Sequence, residues 1–328
     1  MRAERYALPA FFVAMMGMAA LLDDSSLSLY VLFALAAIVT VGVSLLMGQA
    51  GQVSLGQGAF YACGAYTTGV LTTHGVPGLV GLLAAPLVAG ALAFVIGLPL
   101  LLLRGQHLAF ATLATHIIFL SVVGEMAITG GDVGLQGIPR LHILGFEFSS
   151  VRSYAYLSSF ALLGVVVVAR NILASRPGRA LRALSTSEIA AASSGIPVGR
   201  YKLAVFALSA GFAGLAGGIY APYMGYLAPG SFPVILSIEY LVMAAVGGLG
   251  TIAGAIVGSA VVLFLVHVLS RLATMSGMPD ALPVILSYAV YAVLLVTAVL
   301  FLPRGIVSGT ALAWQRILRR TRHSRGPC

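Results

Sequence analysis

The chain of 328 residues is 60% hydrophobic and only 8% charged, with a net charge of +9 and a mean hydropathy of +1.04. Soluble domains are about a quarter charged, so a chain this apolar has too little polar surface to cover itself, and lipid must take that role. Its apolar runs are unbroken rather than alternating. They match helices of about 20 residues crossing a bilayer, not barrel strands, and the excess of cations reads as membrane topology rather than as a nucleic-acid surface.

Ten spans are predicted in chain order, near 7–22, 28–47, 58–73, 79–103, 108–129, 153–173, 203–222, 236–249, 253–270 and 281–302. The third and eighth are short and glycine-rich, so eight to ten transmembrane helices bracket the count. The fold class is all-α, a polytopic membrane helical bundle forming one transmembrane domain over 1–328. The first span follows Arg2 and Arg5 and ends ahead of Asp23 and Asp24 with no convincing small-x-small cleavage site; it is expected to be an uncleaved anchor.

Between spans two and three lies Gly48-Gln49-Ala50-Gly51-Gln52-Val53-Ser54-Leu55-Gly56-Gln57-Gly58, with four glycines among polar, uncharged side chains. Each glycine weakens helix by about 1 kcal/mol relative to alanine, so a break in the helix is expected. Non-helical backbone at membrane depth is tolerated where it faces protein or a wet cavity, as at transporter sites. Gln49, Gly51, Gln52, Ser54 and Gln57 are therefore candidate pathway residues; the competing reading is a cytoplasmic turn with glycine for close packing and glutamine for bonding between helices.

Intramembrane acids are costly and usually functional. Glu125 and Glu239 both fall near outer span ends, where they can reach the interface or a partner. His107, His116 and His267 lack ligand partners at helical spacing and read as interface or packing residues. Cys63 and Cys328 form no disulfide or metal pattern.

Two hydrophilic segments interrupt the spans: 130–152, expected outside, and 174–202, expected inside; the tail 304–328 is basic. Within the second, Pro177 suits a helix start and Gly195 with Pro197 a helix end. Leu181, Leu184, Glu188 and Ala191 share one face, so a single short helix over 176–197 is expected. It is too polar to span, and either lies on anionic headgroups through Arg179 and Arg182 or docks a cytosolic partner. Further on, Gly250, Gly254 and Gly258 are spaced four apart and are expected to share a helix face as a packing seam. Gly211, Gly214, Gly217 and Gly218 read the same way. Gly248 and Gly250 are also candidates for the pathway.

A cytoplasmic N-terminus with ten spans places fifteen of the eighteen Lys and Arg residues inside, leaving Arg140, Arg152 and Arg271 outside; both termini are then cytoplasmic. No P-loop pattern is present, so energy must come from an ion gradient or a partner.

Several segments together resemble the branched-chain amino-acid permeases of ABC importers, in particular the second of their two paired membrane subunits. They are Gly48 to Gly56, Ala59-Phe60, Gly64-Ala65-Tyr66, Gly134-Leu135-Gln136-Gly137-Ile138-Pro139, Gly178 to Ala183 with Glu188, and Arg200-Tyr201-Lys202. Gly214-Leu215-Ala216-Gly217, Gly247 to Thr251 and Phe301-Leu302-Pro303-Arg304-Gly305 complete the ordered set. The resemblance implies two inverted five-helix halves in a bacterial inner membrane. It also implies a second homologous permease subunit, two cytosolic ATP-binding subunits and an external substrate-binding protein. No cofactor is implied in this chain, ATP and Mg belonging to the partner ATPases, and the chain itself is not an enzyme. The region around Arg179, Arg182, Glu188 and Gly195 resembles the segment that couples such permeases to their ATPases, although Glu188 and Gly195 are seven apart where the general importer pattern has six. Cargo in the family is branched-chain or other hydrophobic amino acids, and extends to urea, short amides and aromatic or organic acids. The competing class is an ion-coupled secondary transporter, in which Glu125 or Glu239 would carry protons. A membrane-embedded enzyme would need clustered catalytic groups that the sequence does not show.

Overall fold

A computed structural model of the protein describes residues 13, 15–103, 105–143 and 146–273, with three further positions at 289, 292 and 293. The first predicted span lies partly, and the tenth (281–302) largely, outside the described residues. The other eight coincide with helices. These are α1 (Asp24–Ala50), α2 (Gln57–Thr73), α3 (Gly78–Leu100), α4 (Gln106–Glu125), α5 (Val151–Ala174), α8 (Val198–Met224), α9 (Ile235–Gly247) and α10 (Ile252–Ala273); α6 (Arg176–Thr186) and α7 (Glu188–Ser193) lie between α5 and α8. Among the described residues six helical segments are long and apolar enough to cross a membrane, which makes this a multi-pass membrane protein.

The helices are layered by burial. Almost every residue of α2 is buried although it has only 17 residues, and α8 runs beside it as the centre of the bundle. In lipid there is no water to drive helices together, so close approach of small residues does that work. A Cβ on Gly214 would lie 2.5 Å from the Ala89 methyl of α3, and one on Gly218 2.8 Å from that of Ala85. One on Gly217 would fall on the Tyr61 carbonyl of α2. The outer faces of α3 and α4 instead expose Leu83, Leu87, Phe94, Phe110 and Ile118, as a lipid-facing surface requires.

The glycines of the later run divide differently from expectation. Gly254 and Gly258 do share the face of α10 that packs on α9, where added Cβ atoms would meet the carbonyls of Gly247 and Met243. Gly250 is not in that helix. It lies with φ +79° in a break between α9 and α10, because Gly248, also at positive φ, has already ended α9.

The segment 130–152 is tied down rather than loose. Leu135 and Leu227 exchange backbone hydrogen bonds (2.7 and 3.0 Å), and Ile138 N–H donates to Gly225 O at 3.2 Å. A two-residue hairpin, β1 (His142–Ile143) with β2 (Phe146–Glu147), follows. The Tyr154 hydroxyl, at the start of α5, donates to Pro222 O at 3.0 Å and accepts from Leu141 N–H at 3.2 Å.

The expected single helix over 176–197 is two. Ser187 adopts extended backbone (φ −160°, ψ 118°) and its hydroxyl caps α7 through Ala190 N–H. The reason is local: Ser185-Thr186-Ser187 compete for backbone hydrogen bonds, and a serine favours the N-cap over a helix interior. Ser175 precedes α6 with Pro177 at its start, and Gly195 takes positive φ (+79°) after α7.

Candidate functional site

The break after α1 begins at Gly51, whose left-handed backbone (φ +63°) turns its N–H, and that of Gln52, back onto Leu46 O. This is a glycine helix stop. The chain then runs non-helically to Gly56, where the Ser54 hydroxyl accepts from Gly56 N–H at 3.3 Å and Leu55 N–H donates to the Thr112 hydroxyl of α4 at 2.9 Å.

The last turns of α1, just before this break, meet the break between α9 and α10, some two hundred positions away in sequence. Gln49 Nε2 donates to Gly250 O at 3.1 Å, and Gly250 N–H reaches both the carbonyl (3.2 Å) and the hydroxyl (3.0 Å) of Ser44. The Ser44 hydroxyl is also 3.3 Å from Thr251 O. Gly48 lies so close to the backbone of Leu249 and Gly250 that no side chain fits there. The end of α1 thus stacks backbone to backbone on the unwound 248–251 segment, just before its own helix stops, with polar groups paired across the junction.

The structure therefore brings together Gln49, Gly248 and Gly250. Gly51 is exposed at the edge of the break, while Gln52, Ser54 and Gln57 are buried in or beside it. Gln52 and Gln57 have neither amide atom paired among the described residues, and Gln49 Oε1 is likewise buried without a partner. Unpaired buried amides cost about 1–3 kcal/mol each, which marks this stretch as built for something other than stability.

Next to it lies a polar relay through α4. Gly58 N–H donates to the Ser237 hydroxyl (2.9 Å), which is 3.1 Å from His116 Nδ1, while His116 Nε2 is 3.2 Å from Phe232 O. A carbonyl only accepts, so Nε2 carries the proton; in the neutral imidazole Nδ1 then accepts from the Ser237 hydroxyl. His116 is thus a fully buried packing residue with a defined polar role. Phe232 is surrounded by Tyr61, Tyr66 and Tyr220 with ring centroids 5.8–5.9 Å away. A cavity of about 190 Å3 beside this cluster is lined by Tyr61, Tyr220, Glu239, Tyr240 and Met243. Glu239 is partly buried there, whereas Glu125 is exposed at the end of α4. His107 is exposed as well, and His267 half-buried. Among the described residues no three His, Cys, Asp or Glu side chains cluster.

The four residues expected to couple to a partner occupy different settings. Arg179 is exposed. Arg182 is exposed, but its guanidinium caps α5 by donating to Leu173 O at 2.9 Å. Glu188, at the start of α7, pairs with Lys202 of α8, and Gly195 is exposed in the turn after α7. Sequence reasoning left Ser44, Thr112, Ser237 and Lys202 out of the site. Ser44 had a readable signal, being four residues before Gly48 and so on the same helix face; Lys202, fourteen residues from Glu188, had none.

No solved structure matches the chain. It is 35% identical to the high-affinity branched-chain amino acid transport system permease protein LivM of Salmonella typhimurium, over 239 residues covering 65% of this chain and 56% of that one. The LivM protein of Escherichia coli is 34% identical over the same extent. A probable branched-chain amino acid transport permease protein LivH of Methanocaldococcus jannaschii is 29% identical over 160 residues, covering 48% of this chain and 50% of that one. The chain thus spans about half the length of the curated relatives it matches. The model for the permease component of branched-chain amino acid transport systems matches residues 25–299, which run from the start of α1 through both helix breaks and beyond α10, and the chain belongs to that family.

Proposed function

We propose that this chain is the permease subunit of an ATP-driven importer for branched-chain or other hydrophobic amino acids, in a bacterial inner membrane with both termini cytoplasmic. An external binding protein delivers the substrate, a second homologous permease completes the passage, and two cytosolic ATPases supply the energy. The observation that carries the reading is the packing of the end of α1, just before its break at 51–56, on the break at 248–251, because unwound backbone beside unpaired buried amides offers hydrogen bonds to a polar substrate. Gln49, Gly51, Gln52, Ser54, Gln57, Gly248 and Gly250 line or shape that passage. The α6–α7 segment, with Arg179, Arg182, Glu188 and Gly195, receives the motion of the ATPases.

The test is uptake of radiolabelled L-leucine by cells that lack their own branched-chain transport and express the chain with its partner subunits. Uptake should vanish when the catalytic glutamate of the ATPase subunit is replaced by glutamine. Uptake by the purified chain alone in liposomes, driven by a proton gradient, would instead establish secondary transport.

A further inference from the structure

A short turn between α8 and α9, Pro229–Ser231, is followed by Phe232, which is fully buried although Gly230 and Pro233 on either side are exposed. The turn lies at the far end of α8 from α7, just after Leu227, which is bonded to Leu135. The Phe232 ring packs among Tyr61 and Tyr66 of α2 and Tyr220 of α8. Two of these tyrosines, Tyr61 and Tyr220, also line the cavity of about 190 Å3, together with Ser231 of the turn and Met243. Phe232 therefore stands in the wall between that cavity and the surface at Gly230 and Pro233.

Little else fastens the turn. Residues 228–232 are hydrogen-bonded within themselves, Ser231 N–H to Ala228 O at 2.9 Å and Phe232 N–H to Pro229 O at 3.1 Å. Among the described residues a single hydrogen bond ties them to the rest of the bundle, from His116 Nε2–H to Phe232 O at 3.2 Å. His116 is set in turn by Ser237, whose hydroxyl accepts the Gly58 N–H, and a Cβ at Gly58 would overlap the imidazole. Gly58 is the second residue of α2, directly after the break at 51–56, so the position of the imidazole is tied to the start of that helix. The closed arrangement also leaves the Tyr66 hydroxyl buried without a partner among the described residues, a cost that admitting water or a polar substrate would relieve. We propose that Phe232 is a gate on the substrate path and that His116 is the positioning residue that latches it. With the bond made, the ring fills the wall. When the start of α2 shifts, the bond is lost, the turn swings out and the tyrosine-lined cavity opens at this end. The proposal rests on the reading of the chain as a permease and adds a moving part to it, at the end of the bundle opposite α6 and α7.

The experiment uses the complete complex in nanodiscs, where both faces are reachable, with Met243→Cys in a chain freed of Cys63 and Cys328. Met243 lines the cavity and is 1% exposed. Its labelling by a charged thiol reagent is timed in the nucleotide-free complex and in the complex trapped with ATP and vanadate. In the parent the two rates should differ by roughly tenfold, the effect of one hydrogen bond on an opening equilibrium. Phe232→Ala should label fast in both states. Phe232→Leu, which keeps a smaller plug and guards against misfolding of the alanine variant, should narrow the difference. His116→Leu should label fast in both states with Phe232 still in place, whereas His116→Gln, which retains a donor for the carbonyl, should restore a difference; a merely structural role for His116 would lower stability without erasing the state dependence. Equal rates in the two states of the parent, or parent-like state dependence in both Phe232→Leu and His116→Leu, would overturn the gate while leaving leucine uptake, and with it the proposed function, intact. A complete complex that takes up no leucine would overturn both.

Discussion

Gly48→Ala tests whether the contact of α1 with the 248–251 break is rigid. A Cβ at Gly48 would overlap the amide and Cα of Gly250 and lie 2.8 Å from the carbonyl carbon of Leu249. These are backbone atoms of a turn held at positive φ, so no rotamer change can make room. The end of α1 and the break must separate, and overpacking of this kind costs about 1–3 kcal/mol. Separation also loses the bonds from Gln49 and Ser44 to Gly250, at about 0.6 kcal/mol each on average within membranes. Against this, alanine is favoured over glycine in α1 by about 1 kcal/mol. The net expectation is a loss of about 1–3 kcal/mol, read as a lower Tm of the detergent-solubilised protein. The control is Gly164→Ala in α5, where an added methyl meets nothing within 4 Å, so that only the propensity gain of up to about 1 kcal/mol remains. A double-mutant cycle sharpens the test. If Gly48→Ala has already broken the Gln49–Gly250 bond, Gln49→Leu should be nearly free in that background and costly in the wild type. Equal costs of Gln49→Leu in both backgrounds, or a Gly48→Ala protein as stable as the parent, would refute the close contact.

Three further outcomes are expected. His116→Leu strands the Phe232 carbonyl and the Ser237 hydroxyl in a buried site, at about 2–4 kcal/mol, measured as a fall in Tm; His116→Gln should recover part of it by restoring one donor. Tyr154→Phe removes the two hydrogen bonds that join Leu141 to Pro222, about 1–3 kcal/mol together, and should raise the rate of proteolysis within 136–150 while leaving the helices protected. Replacing Arg179 and Glu188 together with alanine should abolish leucine uptake while insertion of the complex is unchanged on membrane fractionation; undiminished uptake would remove the coupling role of α6 and α7.

What could be read from the sequence divides by distance along the chain. The spans were legible because the signal is local: a lipid-facing helix is apolar throughout, and eight of the ten predicted spans coincide with helices of the structure. The break at 51–56 was legible because four glycines in eleven residues weaken a helix, although Gly48 and Gly58 themselves lie in α1 and α2. The break at 248–251 was partly hidden, since Leu249, Ile252 and Ala253 continue the apolar run and make a helical reading of Gly250 equally consistent. The meeting of the end of α1 with that break had no local signal at all. The division of the 176–197 segment was readable in principle from Ser185-Thr186-Ser187, but the apolar face of Leu181, Leu184 and Ala191, all buried in the structure, masked it. Arg182 shows a different limit: a basic side chain on a short polar helix reads as available to a partner, yet here it serves a carbonyl at the end of α5.

The contacts around α6 and α7 explain how a force applied there would reach the breaks. Gly178 is pressed onto the carbonyls of Ile172 and Leu173 so closely that a Cβ would overlap them, and Arg182 adds a hydrogen bond to the second of these. α6 therefore cannot move without carrying the end of α5. α7 is held differently, through a cap at Ser187 and the Glu188–Lys202 pair at the start of α8. An ion pair in which one partner is half exposed is the weaker link, because solvent screens it. Beyond Lys202, the helix α8 packs on α2 and α3 through Gly214, Gly217 and Gly218 and through the ring pairs Phe60–Phe206 and Tyr61–Tyr220; close-packed contacts of this kind transmit strain rather than damp it. α2 in turn begins at Gly56, where the break ends. The path from the α6–α7 segment to the unwound backbone thus has one compliant joint, at Glu188 and Lys202, followed by stiff elements. A permease that must hold two states needs its freedom concentrated where a partner can control it. Neutralising the pair symmetrically with Glu188→Gln and Lys202→Met should therefore leave the helices as stable as before by Tm while changing the dependence of ATP hydrolysis on leucine. If that variant hydrolyses ATP with the parent's leucine dependence, the compliance lies elsewhere.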